Sequence, residues 1–101
     1  MSLKLRNSWN YKGSDWWDWA AFIDDGGSGE LADVRFVEYV LHESFPEPIQ
    51  RVETRRGGFR LEEEGWGTFN LKAFVHLKNG KKLRLQHELQ LFSEPEKGTS
   101  T

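Results

Sequence analysis

Leu41-His42-Glu43-Ser44-Phe45-Pro46 sets an imidazole, a hydroxyl and a phenyl ring within four residues, where a strand runs into a turn. Pro46 and Pro48 cannot donate to a central ladder, so the strand ends there and leaves backbone N–H groups unclaimed. Gly65-Trp66-Gly67 places the largest aromatic face available between two residues with no side chain. Glycine lets backbone approach a guest closely. Together the two stretches describe a narrow slot, with Phe45 as one wall, Trp66 as the other, and the Ser44 hydroxyl and free N–H groups between. Such a slot selects a flat, uncharged, amide-like group. Ring faces stack for about 0.5–1.5 kcal/mol beyond the area they bury, and each hydrogen bond to the amide adds about 1 kcal/mol net. The simpler reading of the same residues is a plug in which Phe45 and Trp66 close one end of the fold.

Catalysis asks for more than this. In an extended chain residues two apart face the same side, which would bring His42 to Ser44 as a nucleophile and base. Glu43 points the other way, so no third group orients the imidazole. His76 falls on the polar face of its strand, and His87 on an apolar face as a hydrogen-bonded core histidine. Their scatter argues against a three-histidine zinc site. Three adjacent carboxylates in a strand cannot all face one ion, so Glu62-Glu63-Glu64 reads as a solvated edge. No catalytic residue, metal or cofactor is expected.

The 101 residues make room for one domain. A chain of this size buries roughly 65% of the surface it exposes when unfolded. The absence of cysteine excludes a disulfide framework and thiolate zinc. Fourteen basic and sixteen acidic residues are interspersed, for a formal charge of −2, so no linear basic stripe invites nucleic acid. No 18-residue apolar run exists, and the start of the chain lacks a signal-peptide core, which points away from membranes and towards the cytoplasm. Five tryptophans are many for this length, and core packing between strands accounts for most of them, Trp19 included. Trp9, Trp16 and Trp17 on the outside would instead make a platform for carbohydrate.

Period-two alternation supplies the elements. Asp15 to Ile23 reads as a strand with Trp17, Trp19, Ala21 and Ile23 on one face, after a turn at Gly13-Ser14-Asp15. A glycine-rich loop over residues 24–30 precedes a strand from Val34 to Leu41, interrupted early by Arg35. Residues 49–53 form a weak strand, and Arg55-Arg56-Gly57-Gly58 turns the chain. Phe69 to Leu77 and Leu83 to Leu91 alternate on either side of Asn79-Gly80, the signal of a two-residue hairpin turn. No helical period is present. The prediction is an all-β, immunoglobulin-like antiparallel sandwich of seven or eight short strands over residues 1–93, with 94–101 a flexible polar tail.

Leu41-His42-Glu43-Ser44-Phe45-Pro46-Glu47-Pro48, followed by Gly65-Trp66-Gly67-Thr68-Phe69, resembles the YEATS domain family. Asp18-Trp19 opens a strand ending near Ile23, and Phe59 stands where the family has an aromatic ahead of its Gly-Trp-Gly turn. Leu85 to Leu91 matches the closing strand. The likeness covers residues 16–92, and the compact length and tryptophan-rich start are closer to its prokaryotic branch. The resemblance implies a sandwich that reads acylated lysine of acetyl or crotonyl type. Phe45 and Trp66 would enclose the acyl group, and the Ser44 hydroxyl would bind the amide. The Trp66 N–H would take the acyl carbonyl, and His42 would line the site. Gly65 and Gly67 would keep the channel open-ended, and Trp19 is counted with these residues. Asp15 stands where eukaryotic members carry a further pocket aromatic, with Trp16, Trp17 and Tyr11 the candidates to replace it. The leading expectation is thus a non-enzymatic module whose partner is an acylated-lysine protein or peptide. The alternative is a structural or protein–protein interaction sandwich in a larger prokaryotic assembly, without acyl-lysine binding.

Overall fold

Strands form where apolar side chains recur at every second position, and two layers form because each strand then has one face to bury. The protein, described by a computed structural model over residues 3–100, contains β1 (Lys4–Gly13), β2 (Trp16–Asp24), β3 (Val34–Val40), β4 (Ile49–Val52), β5 (Leu61–Gly65), β6 (Asn70–Leu77), β7 (Lys82–Glu88) and β8 (Lys97–Thr99). The portions of the expected domain and tail at residues 1, 2 and 101 lie outside the described residues. Two four-stranded antiparallel sheets, β5-β2-β1-β8 and β4-β3-β6-β7, face each other as an immunoglobulin-like sandwich. Leu5, Trp19, Ala21 and Ile23 from the first sheet meet Val37, Tyr39, Leu71, Ala73 and Val75 from the second.

Two local features set the loops that matter. Arg35 is exposed where the β3–β6 register slips between Val34 and Phe36, a bulge at the residue that breaks the alternation. Before β5, Gly58 adopts φ +80° in a tight helical turn (Arg56–Phe59), and a Cβ there would stand 2.3 Å from the Ile23 carbonyl. The turn seats Phe59 in the core, where its carbonyl accepts from the Tyr39 hydroxyl at 2.5 Å.

Three expectations are corrected. Residues 4–13 carried no strand assignment yet form β1. Its inward row of Leu5, Asn7 and Trp9 holds a polar residue that interrupts the apolar pattern. Asn7 is satisfied there. Its Oδ1 accepts from His87 Nε2 (2.8 Å) and the Gln90 N–H (3.0 Å), and its Nδ2 donates to the Gln90 carbonyl (2.7 Å). The tail expected to be flexible over 94–101 instead supplies β8, which pairs with β1 through Ser8↔Thr99, Trp9↔Gly98 and Asn10↔Lys97. Ser100 is buried and its carbonyl accepts from Arg6 Nε at 2.8 Å. Polar composition misleads here because backbone ladders and the fit of Gly98 over the Trp9 ring hold the segment, not apolar side chains. The hairpin lies where Asn79-Gly80 placed it, but its loop is longer. Leu77 donates to Lys81 (2.8 Å), Gly80 donates to Leu77 (3.0 Å), and Gly80 takes φ +88°.

Candidate functional site

The turn after β3 is closed at its base and at its tip. The Leu41 N–H donates to the Pro48 carbonyl at 2.6 Å, and the Phe45 N–H donates to the His42 carbonyl at 3.0 Å. Within this frame the Ser44 N–H donates to His42 Nδ1 at 3.1 Å, while the Ser44 hydroxyl lies 2.9 Å from the same nitrogen. A nitrogen that accepts a backbone N–H carries no proton of its own. The hydroxyl therefore donates to Nδ1 and keeps its lone pairs for another donor. This differs from a nucleophilic pair. There, the second imidazole nitrogen is held by an orienting group, whereas no hydrogen bond to His42 Nε2 exists among the described residues.

The same end of the sandwich holds a cavity of about 820 Å³ between the two sheets. The second sheet contributes His42, Ser44 and Phe45 after β3, with Phe69 ahead of β6. The first sheet and the loop leaving it contribute Trp16, Trp17, Gly65, Trp66 and Gly67. Phe45 packs on the core against Phe69, ring centroids 5.7 Å apart, while Trp66 projects outward and is 74% exposed. Both line the cavity, and no ring-to-ring contact joins them. A plug would bury Trp66, and this arrangement does not.

Six of the seven residues singled out from the sequence border this space: His42, Ser44, Phe45, Gly65, Trp66 and Gly67. Trp19 does not. It is 3% exposed and lies behind the wall, edge-on to Phe45 (6.2 Å, 89°) and Phe69 (6.0 Å, 67°). Of the three aromatics near Asp15, two reach the cavity and one does not. Trp16 and Trp17 both line the cavity, and Trp17 is fixed by donation from Nε1 to the Phe92 carbonyl (3.0 Å) and by the Tyr11 ring at 4.9 Å. Asp15 is exposed in the β1–β2 turn, and Tyr11 backs Trp17 without reaching the space. The carbohydrate platform is overturned as well, because Trp9 and Trp17 are buried and only Trp16 of the three is turned out.

Phe69 and Leu91 also border the cavity, and neither is among the site residues expected from the sequence. Their place at the ends of alternating runs, where a strand leaves the sandwich, was the available signal. A depression of about 860 Å³ lies over the first sheet among Ser8, Asn10, Asp18, Glu62, Glu64 and Lys97. Trp19 is the one predicted site residue that touches it. Trp9 and Trp19 lie in its floor, and charged side chains, Asp18, Arg60, Glu62, Glu64 and Lys97, surround it.

A sandwich of two antiparallel four-stranded sheets defines an immunoglobulin-like class of β domain. More narrowly, this chain belongs to the prokaryotic YEATS domain family, whose model matches residues 17–90. Among curated proteins it is 31% identical over 87 residues to transcription initiation factor TFIID subunit 14b of Arabidopsis thaliana, covering 82% of this chain and 32% of that one. It is 34% identical over 77 residues to the AF-9 homolog of Kluyveromyces lactis, covering 72% and 34%. The chain thus spans about a third of the length of the curated relatives it matches. The crystal structure of the yeast AF-9 homolog Yaf9 superimposes with a TM-score of 0.79 at 23% identity, over 97% of this chain and 75% of Yaf9. The Yaf9 YEATS domain bound to H3K27ac superimposes with a TM-score of 0.76 at 23% identity, over 97% and 78%. Among the described residues no helix is long and apolar enough to cross a membrane.

Proposed function

We propose that this domain is a non-enzymatic reader of acylated lysine, holding an acetyl- or crotonyl-type side chain between Phe45 and Trp66. The observation that carries this reading is the open, aromatic-walled cavity in which the two rings share a space without touching. The flat acyl amide would slide between them. The Ser44 hydroxyl, its proton turned to His42, would accept the lysine amide N–H, and the Trp66 backbone N–H would donate to the acyl carbonyl. Gly65 and Gly67 would leave the far end open to longer chains. Trp16 and Trp17 would form the third side. Relatives support the class of ligand, since Yaf9 structures contain H3K27ac and recognise an H3K122suc peptide. Such a module would act in the cytoplasm as one part of a larger assembly and needs no cofactor.

About ten ligand heavy atoms at roughly −0.5 kcal/mol each give about −5 kcal/mol, a dissociation constant of hundreds of micromolar. The test is a titration with crotonyl-lysine and unmodified-lysine peptides, followed by tryptophan fluorescence and backbone NMR shifts. The expected result is selective shifts at Ser44, Phe45 and Trp66 with the crotonyl peptide, abolished in folded Trp66→Ala. Equal responses to the two peptides would retire the reader and leave a protein-interaction scaffold.

A further inference from the structure

Behind the cavity wall one polar atom of the core has nothing to bind. The indole Nε1–H of Trp19 is buried and has no hydrogen-bond partner among the described residues. Buried donors are nearly always paired, and one that is not needs a reason. The other inward tryptophans follow the rule, with Trp9 donating to the Pro95 carbonyl (3.2 Å) and Trp17 to the Phe92 carbonyl (3.0 Å).

The position of the orphan suggests the reason. The Trp19 ring stands edge-on to Phe45 and Phe69, both of which border the cavity. On the remaining side lies Gly65, which also borders it. A Cβ built on Gly65 would come 3.9 Å from Trp19 Nε1 and meet no other heavy atom within 4 Å. The side chain that glycine lacks leaves a bay at the edge of the cavity, with an unpaired N–H behind it.

We infer that Trp19 Nε1–H is a specificity-determining donor for this site, selecting acyl chains that carry a neutral oxygen acceptor over plain hydrocarbon ones. The inference rests on the acyl-lysine reading above and names the acyl class. A hydrocarbon tip leaves the N–H as unpaired as before. A hydroxyl tip that enters the bay exchanges its bond to water for one to the indole and satisfies both groups. The acceptor is neutral because Glu64 borders the cavity and Glu63, bound to Gln50 Nε2 at 2.8 Å, stands beside Gly65's strand position. A carboxylate at the tip meets like charge there.

The experiment compares butyryl-lysine, 3-hydroxybutyryl-lysine and succinyl-lysine peptides on the full chain, with affinity by calorimetry and the Trp19 indole N–H followed by ¹H–¹⁵N NMR. The expected result is 3-hydroxybutyryl binding about fivefold tighter than butyryl, the worth of one net hydrogen bond. Only that peptide moves the Trp19 indole proton downfield, and succinyl binds more weakly than butyryl. Gly65→Ala fills the bay at ordinary contact distance and brings the fivefold ratio to about one, whatever its effect on the affinity for butyryl-lysine itself. Equal affinities with an unmoved indole signal overturn the inference, as does a ratio unchanged in Gly65→Ala. If the folded protein binds no acyl-lysine at all, the reader proposal itself fails. Binding of butyryl and hydroxybutyryl peptides alike leaves the reader standing and removes only the role given to Trp19.

Discussion

His42 Nδ1 stands 2.9 Å from the Ser44 hydroxyl and 3.1 Å from the backbone N–H of the same residue. One imidazole nitrogen thus fixes both the turn and the direction of the hydroxyl proton. His42→Ala frees that hydroxyl to rotate, and crotonyl-lysine affinity is expected to fall threefold to tenfold, about 1 kcal/mol. Ser44→Ala should cost at least as much. Calorimetric titration of both variants decides the matter, and an unchanged affinity in His42→Ala would reduce the pair to a turn-stiffening device.

Trp66 and Trp19 should separate binding from stability. Trp66 is 74% exposed, so Trp66→Ala is expected to change stability by no more than about 0.5 kcal/mol while abolishing binding. Trp19 is 3% exposed, and Trp19→Ala should cost about 3–5 kcal/mol of folding stability. Denaturant unfolding of the two variants provides the comparison. A large stability loss in Trp66→Ala would mean that its ring plugs the sandwich.

Gly98→Ala tests whether the last strand belongs to the sheet. An added Cβ would stand 2.1 Å from Cζ2 and 2.6 Å from Cε2 of Trp9, which are ring atoms with little room to yield. A destabilisation of about 1–3 kcal/mol is expected, as for overpacking elsewhere. Hydrogen exchange should show earlier opening at Ser8 and Asn10 on the paired strand. A frayed tail would make the substitution silent.

Half-buried His87, bonded to the buried Asn7, predicts a pH dependence. Desolvation holds the His87 imidazole below its usual range, the nearby Arg6 charge adds to this, and Glu88 opposes it. In the unfolded chain the group titrates near pH 6.5. Above that pH both states are neutral and the stability is fully present. As pH falls through about 6.5 the unfolded chain takes up the proton first, so stability declines until the lower folded-state value is reached. Denaturation midpoints between pH 7.5 and 5 should drop more steeply in the wild type than in His87→Gln. Parallel profiles would show that the imidazole does not contribute.

The fold was legible where one side-chain face is apolar and the other polar. β2, β3, β6 and β7 announce themselves through alternating Trp17-Trp19-Ala21-Ile23 and the two runs around Asn79-Gly80. β1 and β8 did not, because the inward positions include Asn7 in one and Gly98 in the other. What qualifies those residues for the interior is a partner distant in sequence, His87 or Trp9 respectively, which no local pattern encodes. The walls of the candidate site were legible through unusual pairings of residue types, glycine flanking tryptophan and proline following Ser-Phe. Trp16 and Trp17 could be offered only as replacements for the missing aromatic. Which of them, or Tyr11, reaches the cavity depends on the pairing that sets the start of β2 beside the end of β5 through Trp17↔Gly65.

The cavity takes one side from each layer: His42, Ser44, Phe45 and Phe69 come from one, Trp16, Trp17 and Gly65 from the other. A guest bound there would therefore be a rivet, touching both layers at once. Occupancy and resistance to unfolding are then one quantity seen twice, and a guest present at ten times its dissociation constant adds about 1.4 kcal/mol to the folded state. Melting-temperature screens across chemically varied acyl compounds can read recognition directly, with no label and no knowledge of the native target.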